Sequence, residues 1–173
     1  AFYCSLSNSI TFDPTYIANK TASADTLITL AVAHREIWLL GDRTTEVWAD
    51  AGNPLFPFEA VPGAFIQHGC AAKDSVCVAD NAVYWLSQDA QGQAIVMRGQ
   101  NYQAERISSH AIENDFQGYA AIDDAIAHIH QIQGHVFYTL SFPTADKTWV
   151  YDTQTGLWHE RVYIDNDGIE HRK

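Results

Sequence analysis

Three stretches of this chain repeat one pattern of apolar and polar residues, and a repeat of this length implies a row of equivalent units. The first runs Glu36-Ile37-Trp38-Leu39-Leu40, a polar turn, Thr45-Glu46-Val47-Trp48, and later Phe58-Glu59-Ala60-Val61. The second runs Ala82-Val83-Tyr84-Trp85-Leu86, a turn around Asp89 to Gly92, Ala94-Ile95-Val96-Met97, and Ala104-Glu105-Arg106-Ile107. The third runs His135-Val136-Phe137-Tyr138-Thr139-Leu140, a turn around Pro143, Thr148-Trp149-Val150-Tyr151, and His159-Glu160-Arg161-Val162. Equivalent points keep their spacing: Ile37, Val83 and Val136 are 46 and 53 apart, and Val61, Ile107 and Val162 are 46 and 55 apart. An earlier apolar run precedes each stretch (Leu27 to Val32, Val76 to Val78, Ala125 to Ile129), making four short runs per unit. Four strands per unit is the make-up of a propeller blade.

The local chemistry agrees with strands, because Val, Ile, Trp, Tyr and Phe suit a pleated, half-buried surface. Tyr151 to Trp158 reads as a hairpin in which Asp152 closes the turn through its side chain, Gly156 supplies left-handed backbone and Trp158 restarts the next strand. Helix is scarce. Ser109 to Phe116 predicts one or two helical turns, with Ser109 or Ser108 as cap. Ala120 to Ile132 is ambiguous: Ile122, Ala125, Ile126, Ile129 and Ile132 fit helical spacing, yet the repeat assigns a strand there, and repeat context favours the strand.

The expectation is therefore an all-β chain, a partial β-propeller of about three four-stranded blades. Blades are expected over 27–66, 75–110 and 124–164, with 1–26 as the end of a preceding blade and its connection, and 165–173 as the start of the next hairpin. Closed propellers use about four to eight blades, so three leave open edges to be covered by a longer chain or by other copies. The ends fit a piece of a larger protein: Ala1 opens directly in an apolar stretch, and Lys173 follows a turn at Asn166-Asp167-Gly168.

Composition narrows the function. Ten basic against 21 acidic residues give a formal charge of −11, and no basic patch offsets it, which speaks against nucleic-acid binding through counterion release. The longest apolar runs, such as Ile37 to Leu40, are far too short to span a bilayer. Three cysteines, Cys4, Cys70 and Cys77, make an odd set without metal-type pairing and argue against a disulfide scaffold.

Each chemical motif has a plainer reading beside it. His128 and His130 lie on one strand face and His135 follows across a turn, a potential zinc set, yet no Cys or carboxylate completes it at a familiar spacing. Asp42, Glu46, Asp50, Asp89, Asp146 and Asp152 lie near turns. Propeller glycosidases draw an acid and a base or nucleophile from such places, but turn-forming Asp and solvated charge account for these residues as well. Glu59, Glu105 and Glu160 recur at one place in the repeat, which suggests a structural role on the outer strand. Cys70 and Cys77 read as small buried apolar residues, and Asn19-Lys20-Thr21 as a glycosylation match that carries no weight without a secretory route. Trp38, Trp48, Trp85, Tyr138, Trp149 and Trp158 are expected between blades rather than on a stacking platform. No catalytic, cofactor-binding or metal-binding residue is assigned.

Longer phrases carry a family resemblance. Leu30-Ala31-Val32-Ala33-His34-Arg35-Glu36-Ile37-Trp38-Leu39-Leu40-Gly41-Asp42-Arg43-Thr44-Thr45-Glu46-Val47-Trp48, the run from Phe56 to Ala72, and the run from Phe142 to Arg161 resemble the packaged-DNA stabilisation proteins of short-tailed phages. The resemblance covers nearly the whole chain, and members are longer, so it implies an internal portion. It also implies a non-enzymatic structural virion protein of the tail, made in the bacterial host cytoplasm. Such a protein seals the portal channel, retains packaged DNA and links the portal to distal tail parts. Its implied partners are portal and other tail proteins, with self-association in the full assembly, and neither sequence-specific nucleic acid nor membrane. A glycan-binding or glycan-cleaving propeller and a kelch-like protein-binding adaptor share the fold reading and differ only in the site.

Overall fold

A computed structural model describes residues 1–5, 11–54 and 56–171. Residues 6–10 of the leading segment, residue 55 of the first unit and residues 172–173 at the end of the final segment lie outside the described residues.

Strands β1 (Phe2–Tyr3) and β2 (Ile17–Ala18) pair antiparallel ahead of the repeats. The first repeat forms a four-stranded antiparallel sheet of β3 (Leu27–Ala33), β4 (Glu36–Gly41), β5 (Thr45–Asp50) and β6 (Phe58–Ile66). The second contributes β7 (Cys77–Ala79), β8 (Ala82–Gln88), β9 (Ala94–Gln100) and β10 (Gln103–Arg106). The third contributes β11 (Ile126–Ile132), β12 (His135–Phe142), β13 (Lys147–Asp152) and β14 (Leu157–Glu160). A final hairpin joins β15 (Tyr163–Ile164) to β16 (Glu170–His171). Every sheet is an up-and-down meander with strands in chain order, the architecture of a propeller blade.

The strand option wins between Ala120 and Ile132. Ile126 to Ile132 pairs residue for residue with Ser141 to His135, so alternate amides of this edge strand are satisfied across the sheet. The short helix α1 (His110–Gln117) also forms, with Ser109 at the N-cap position but with no capping bond from its side chain. Ser108 instead donates from its hydroxyl to Glu113 Oε1 at 2.5 Å and accepts the Val96 amide at 3.0 Å.

Alternation along the strands gives each sheet two faces, here termed rearward and forward. The forward face of the first sheet carries Ala31, Trp38, Leu40 and Val47, and it packs on the rearward face of the second, Val83, Trp85, Ile95 and Met97. The forward face of the second carries Tyr84, Leu86 and Val96, and it packs on Tyr138, Leu140, Trp149 and Tyr151 of the third. Helix α1 closes this second layer with Ile112 and Phe116. Full burial of each such ring or branched chain contributes about 1.5–3 kcal/mol, so these two layers supply the main cohesion between sheets.

Trp38 and Trp85 fill the first layer, and Tyr138, Trp149 and the partly buried Trp158 fill the second. Trp48 lies elsewhere, on the rearward face of the first sheet, edge-on to Phe2 at 5.3 Å and near Phe56 and Phe58. The first strands β3, β7 and β11 are neighbours in order along one side of the stack.

Candidate interaction surfaces

The carboxylates singled out from the sequence hold backbone in place. Asp89 Oδ1 accepts the amides of Gln91 and Gln93 at 2.9 and 2.8 Å, Asp50 Oδ1 that of Gly52 at 2.8 Å, and Asp42 Oδ1 that of Thr26 at 3.1 Å. Asp152 accepts the Gln154 amide at 2.9 Å and the Thr155 hydroxyl at 3.0 Å, and Gly156 follows at φ +71°. Asp146 occupies a left-handed turn position at φ +52°. Glu46 departs from the turn reading: it is buried on β5 and accepts the amides of Thr21 and Ala22 and the indole N–H of Trp48.

Glu59, Glu105 and Glu160 lie on the last strand of their sheets. Glu59 accepts from Asn53, and Glu160 pairs with Lys147 at 2.5 Å. Asp42 and Asp89 share one crevice of about 780 Å³ between the first two units, with Arg43, Gln67 and His68. Burial there, reinforced by the charge of Arg106, depresses the pKa of His68 below the ordinary imidazole range.

The three histidines do not converge on a metal. His128 and His130 share the forward face of β11 with ring centroids 5.6 Å apart. Phe137 stacks against both His130 (5.2 Å) and His135 (6.0 Å), while His135 Nδ1 donates to Asp152 Oδ2 at 2.8 Å. His159 meets the edge of the same Phe137 ring. Among the described residues no three His, Cys, Asp or Glu side chains gather as a metal would require. Burial, followed by the neighbouring charges of His128 and Arg161, lowers the pKa of His130. The result is a sheet face seamed with imidazoles around one phenyl ring.

The thiols are quiet. Cys70 is buried, Cys77 is half-buried, and burial pushes each up to about 11, so neither carries appreciable thiolate at neutral pH.

Two clasps escaped the sequence reading. Lys20 and Asp25 form a buried ion pair at 2.6 Å, with Lys20 also donating to the carbonyl and hydroxyl of Thr44. Asp25 Oδ2 further accepts the amides of Arg43 and Thr44. Together with Glu46 this straps 20–25 across the first sheet, and the Asn19-Lys20-Thr21 match falls on that strap. The second clasp joins Arg106, Ser108 and Glu113 at the start of α1. The charged partners lie only five to seven residues apart, Lys20 with Asp25 and Arg106 with Glu113, but neither spacing marks a recognisable motif, and the strap's further bonds to Thr44 and Glu46 reach about two dozen residues along the chain.

No curated protein matches the chain. Among eight matching chains of solved structures is an engineered GH43 glycoside hydrolase with endo-xylanase and exo-arabinofuranosidase activity. It is 17% identical, with a TM-score of 0.40 over 77% of this chain, and this chain spans only 27% of its length. That likeness is too distant to support an argument about either fold or activity. The family model described as bacteriophage P22 Gp10, beta-propeller, matches residues 1–162, a span containing all three four-stranded sheets. The chain thus belongs to the P22 Gp10 family of phage packaged-DNA stabilisation proteins, and its meandering sheets are propeller blades.

Proposed function

We propose that the chain is part of a non-enzymatic structural protein of a short-tailed phage virion, which seals the portal channel, retains packaged DNA and links the portal to distal tail parts. The observation that carries this reading is the family match across residues 1–162. The charge of −11 is compatible with it. An acidic body does not grip DNA through phosphate contacts, so it would hold DNA back as a like-charged closure anchored to protein neighbours. The turn-bound carboxylates and protonated thiols are in keeping with a non-catalytic role. Within this reading the blades are 27–66, 75–110 and 124–164. Residues 1–26 end a preceding blade and its connection, and 165–173 begin the next hairpin. The partners are portal and tail proteins, with self-association in the full assembly.

Electron cryo-microscopy of virions carrying the full-length protein tests the placement. The reading expects propeller density on the tail axis directly beneath the portal. Density confined to the outer tail surface, accompanied by glycan hydrolysis by the purified protein, would replace it with the glycan-cleaving reading.

A further inference from the structure

The connection between the first two blades is pinned at four successive residues. Thr45 donates its hydroxyl to the His68 carbonyl at 2.8 Å, and the Trp85 indole N–H donates to the Gly69 carbonyl at 2.8 Å. The amides of Cys70 and Ala71 donate to the carbonyls of Gly41 and Leu86 at 2.7 and 2.8 Å. A Cβ added to Gly69 would lie 2.4 Å from the Asp42 carbonyl carbon, so this wall also packs directly on the turn at Asp42. The crevice of about 780 Å³ between the first two units is therefore fixed in shape before anything enters it. A second hollow of about 580 Å³ lies beside it, and Gln88 and Gly92 line both. Phe116 and Tyr119 line the second hollow, where Trp149 holds the Tyr119 ring by donating its indole N–H to the hydroxyl at 2.9 Å. Both volumes fall in the range of small-molecule sites, about 300–1,000 Å³. Every wall belongs to the first two blades, to α1 or to the connections between blades.

The polar groups on these walls are largely unengaged. Gln67, Gln88, Gln93 and Gln117 make no side-chain hydrogen bond among the described residues, and each amide offers two donors and an acceptor. Asp42 and Asp89 each use one carboxylate oxygen on backbone amides and keep the other. Burial favours the neutral form of His68, which then offers one donor and one acceptor. Asp42, Asp89 and Asp123 outnumber Arg43, a balance that disfavours an anionic ligand. Between the polar groups lie small residues, Ala71, Ala94, Ala120 and Ala121, which leave no deep apolar socket for the anchoring side chain of a protein partner.

The geometry points to a neutral oligosaccharide as the ligand of the paired hollows. Its neighbouring hydroxyls match the unengaged amides and carboxylate oxygens, and the C–H face of a sugar ring matches the Tyr119 ring. Two hollows side by side across the β8–β9 turn suit a linear oligomer better than a single sugar. The inference goes beyond the tail reading and does not rest on it, so either can fail without the other.

An array of neutral and acidic oligosaccharides probed with the 173-residue chain tests it, followed by calorimetric titration of the strongest neutral binder. Neutral members should be bound in preference to acidic ones. Gln88→Ala combined with Gln93→Ala should weaken the titrated affinity roughly tenfold or more. Gln103→Ala, on β10 and outside both hollows, should leave it unchanged. All three side chains are exposed, and thermal melting checks that the variants keep their fold. If the double variant does not, Gln117→Ala takes its place. An array with no neutral oligosaccharide bound overturns the proposal. So does binding confined to acidic members, and so does affinity indifferent to the glutamine substitutions. Salt-sensitive capture of basic peptides in place of oligosaccharides would overturn it as well, and would make this face a protein-docking surface.

Discussion

Lys20 and Asp25 show how much a single side chain decides in this fold. Both are about 3% exposed, and together they secure the strap to the turn at Arg43 and Thr44. Removing one member of a buried pair strands the other's charge, so Lys20→Met should cost about 3–5 kcal/mol in urea unfolding. Replacing Asp25 as well should restore part of that loss, since no unpaired carboxylate would remain buried. The same groups set the acid response. Burial alone would raise the pKa of Asp25, but hydrogen bonds from Lys20, Arg43 and Thr44 outweigh it and hold the carboxyl below its usual value. Glu113 is likewise lowered, burial being overcome by Arg106 and Ser108. A carboxylate depressed in the folded state contributes stability above its unfolded pKa near 4 and loses it as pH falls toward the folded value. His68 and His130 are also depressed, so their contribution is complete above about pH 6.5 and declines as pH drops below it. The urea midpoint should therefore fall in two stages between pH 8 and pH 3. His68→Asn with His130→Asn should flatten the upper stage and leave the lower one in place.

Contacts between elements turn three sheets into one body, and the layer between the first two is the sharpest place to test them. A Cβ built on Gly99 of β9 would lie 2.6 Å from Trp38 Cζ3 and 2.8 Å from Trp85 Cζ3, so this glycine leaves the room in which the two indoles meet. Gly99→Ala should destabilise by about 1–3 kcal/mol through overpacking, and Trp38→Ala by about 3–5 kcal/mol through cavity formation. The double variant should lose clearly less than the sum, because removing the Trp38 ring frees the space the new methyl needs. Simple additivity in calorimetry would contradict the stacking of these sheets. Trp38 was legible as an inter-blade ring because its alternation recurs at Tyr84 and Phe137, and the Asp152–Gly156 turn was legible because each residue has a local reason to be there. Other turns gave a weaker cue. His34-Arg35, Asp80-Asn81 and Asn101-Tyr102 all adopt left-handed backbone at residues other than glycine, which the twist of a two-residue hairpin imposes from outside. Likewise, spacing placed His128, His130 and His135 within reach of one another, but only the pairing of β11 with β12 sets Phe137 between them.

Across the whole molecule, an acidic exterior is combined with cohesion that is mostly apolar and internal. Under the proposed function, such a body would resist close approach of DNA and take its position from protein neighbours. Two shared core layers, one between the first and second blades and one between the second and third, supply the stiffness. The proposed closure of a portal channel suits that combination, whereas gripping DNA would call for a basic surface. The most direct measurement is the amount of nuclease-resistant DNA in filled phage heads assembled with and without the full-length protein. The account predicts that heads lacking it lose their DNA to nuclease, and that adding the protein before nuclease preserves it. Heads that keep their DNA equally well without the protein would contradict it.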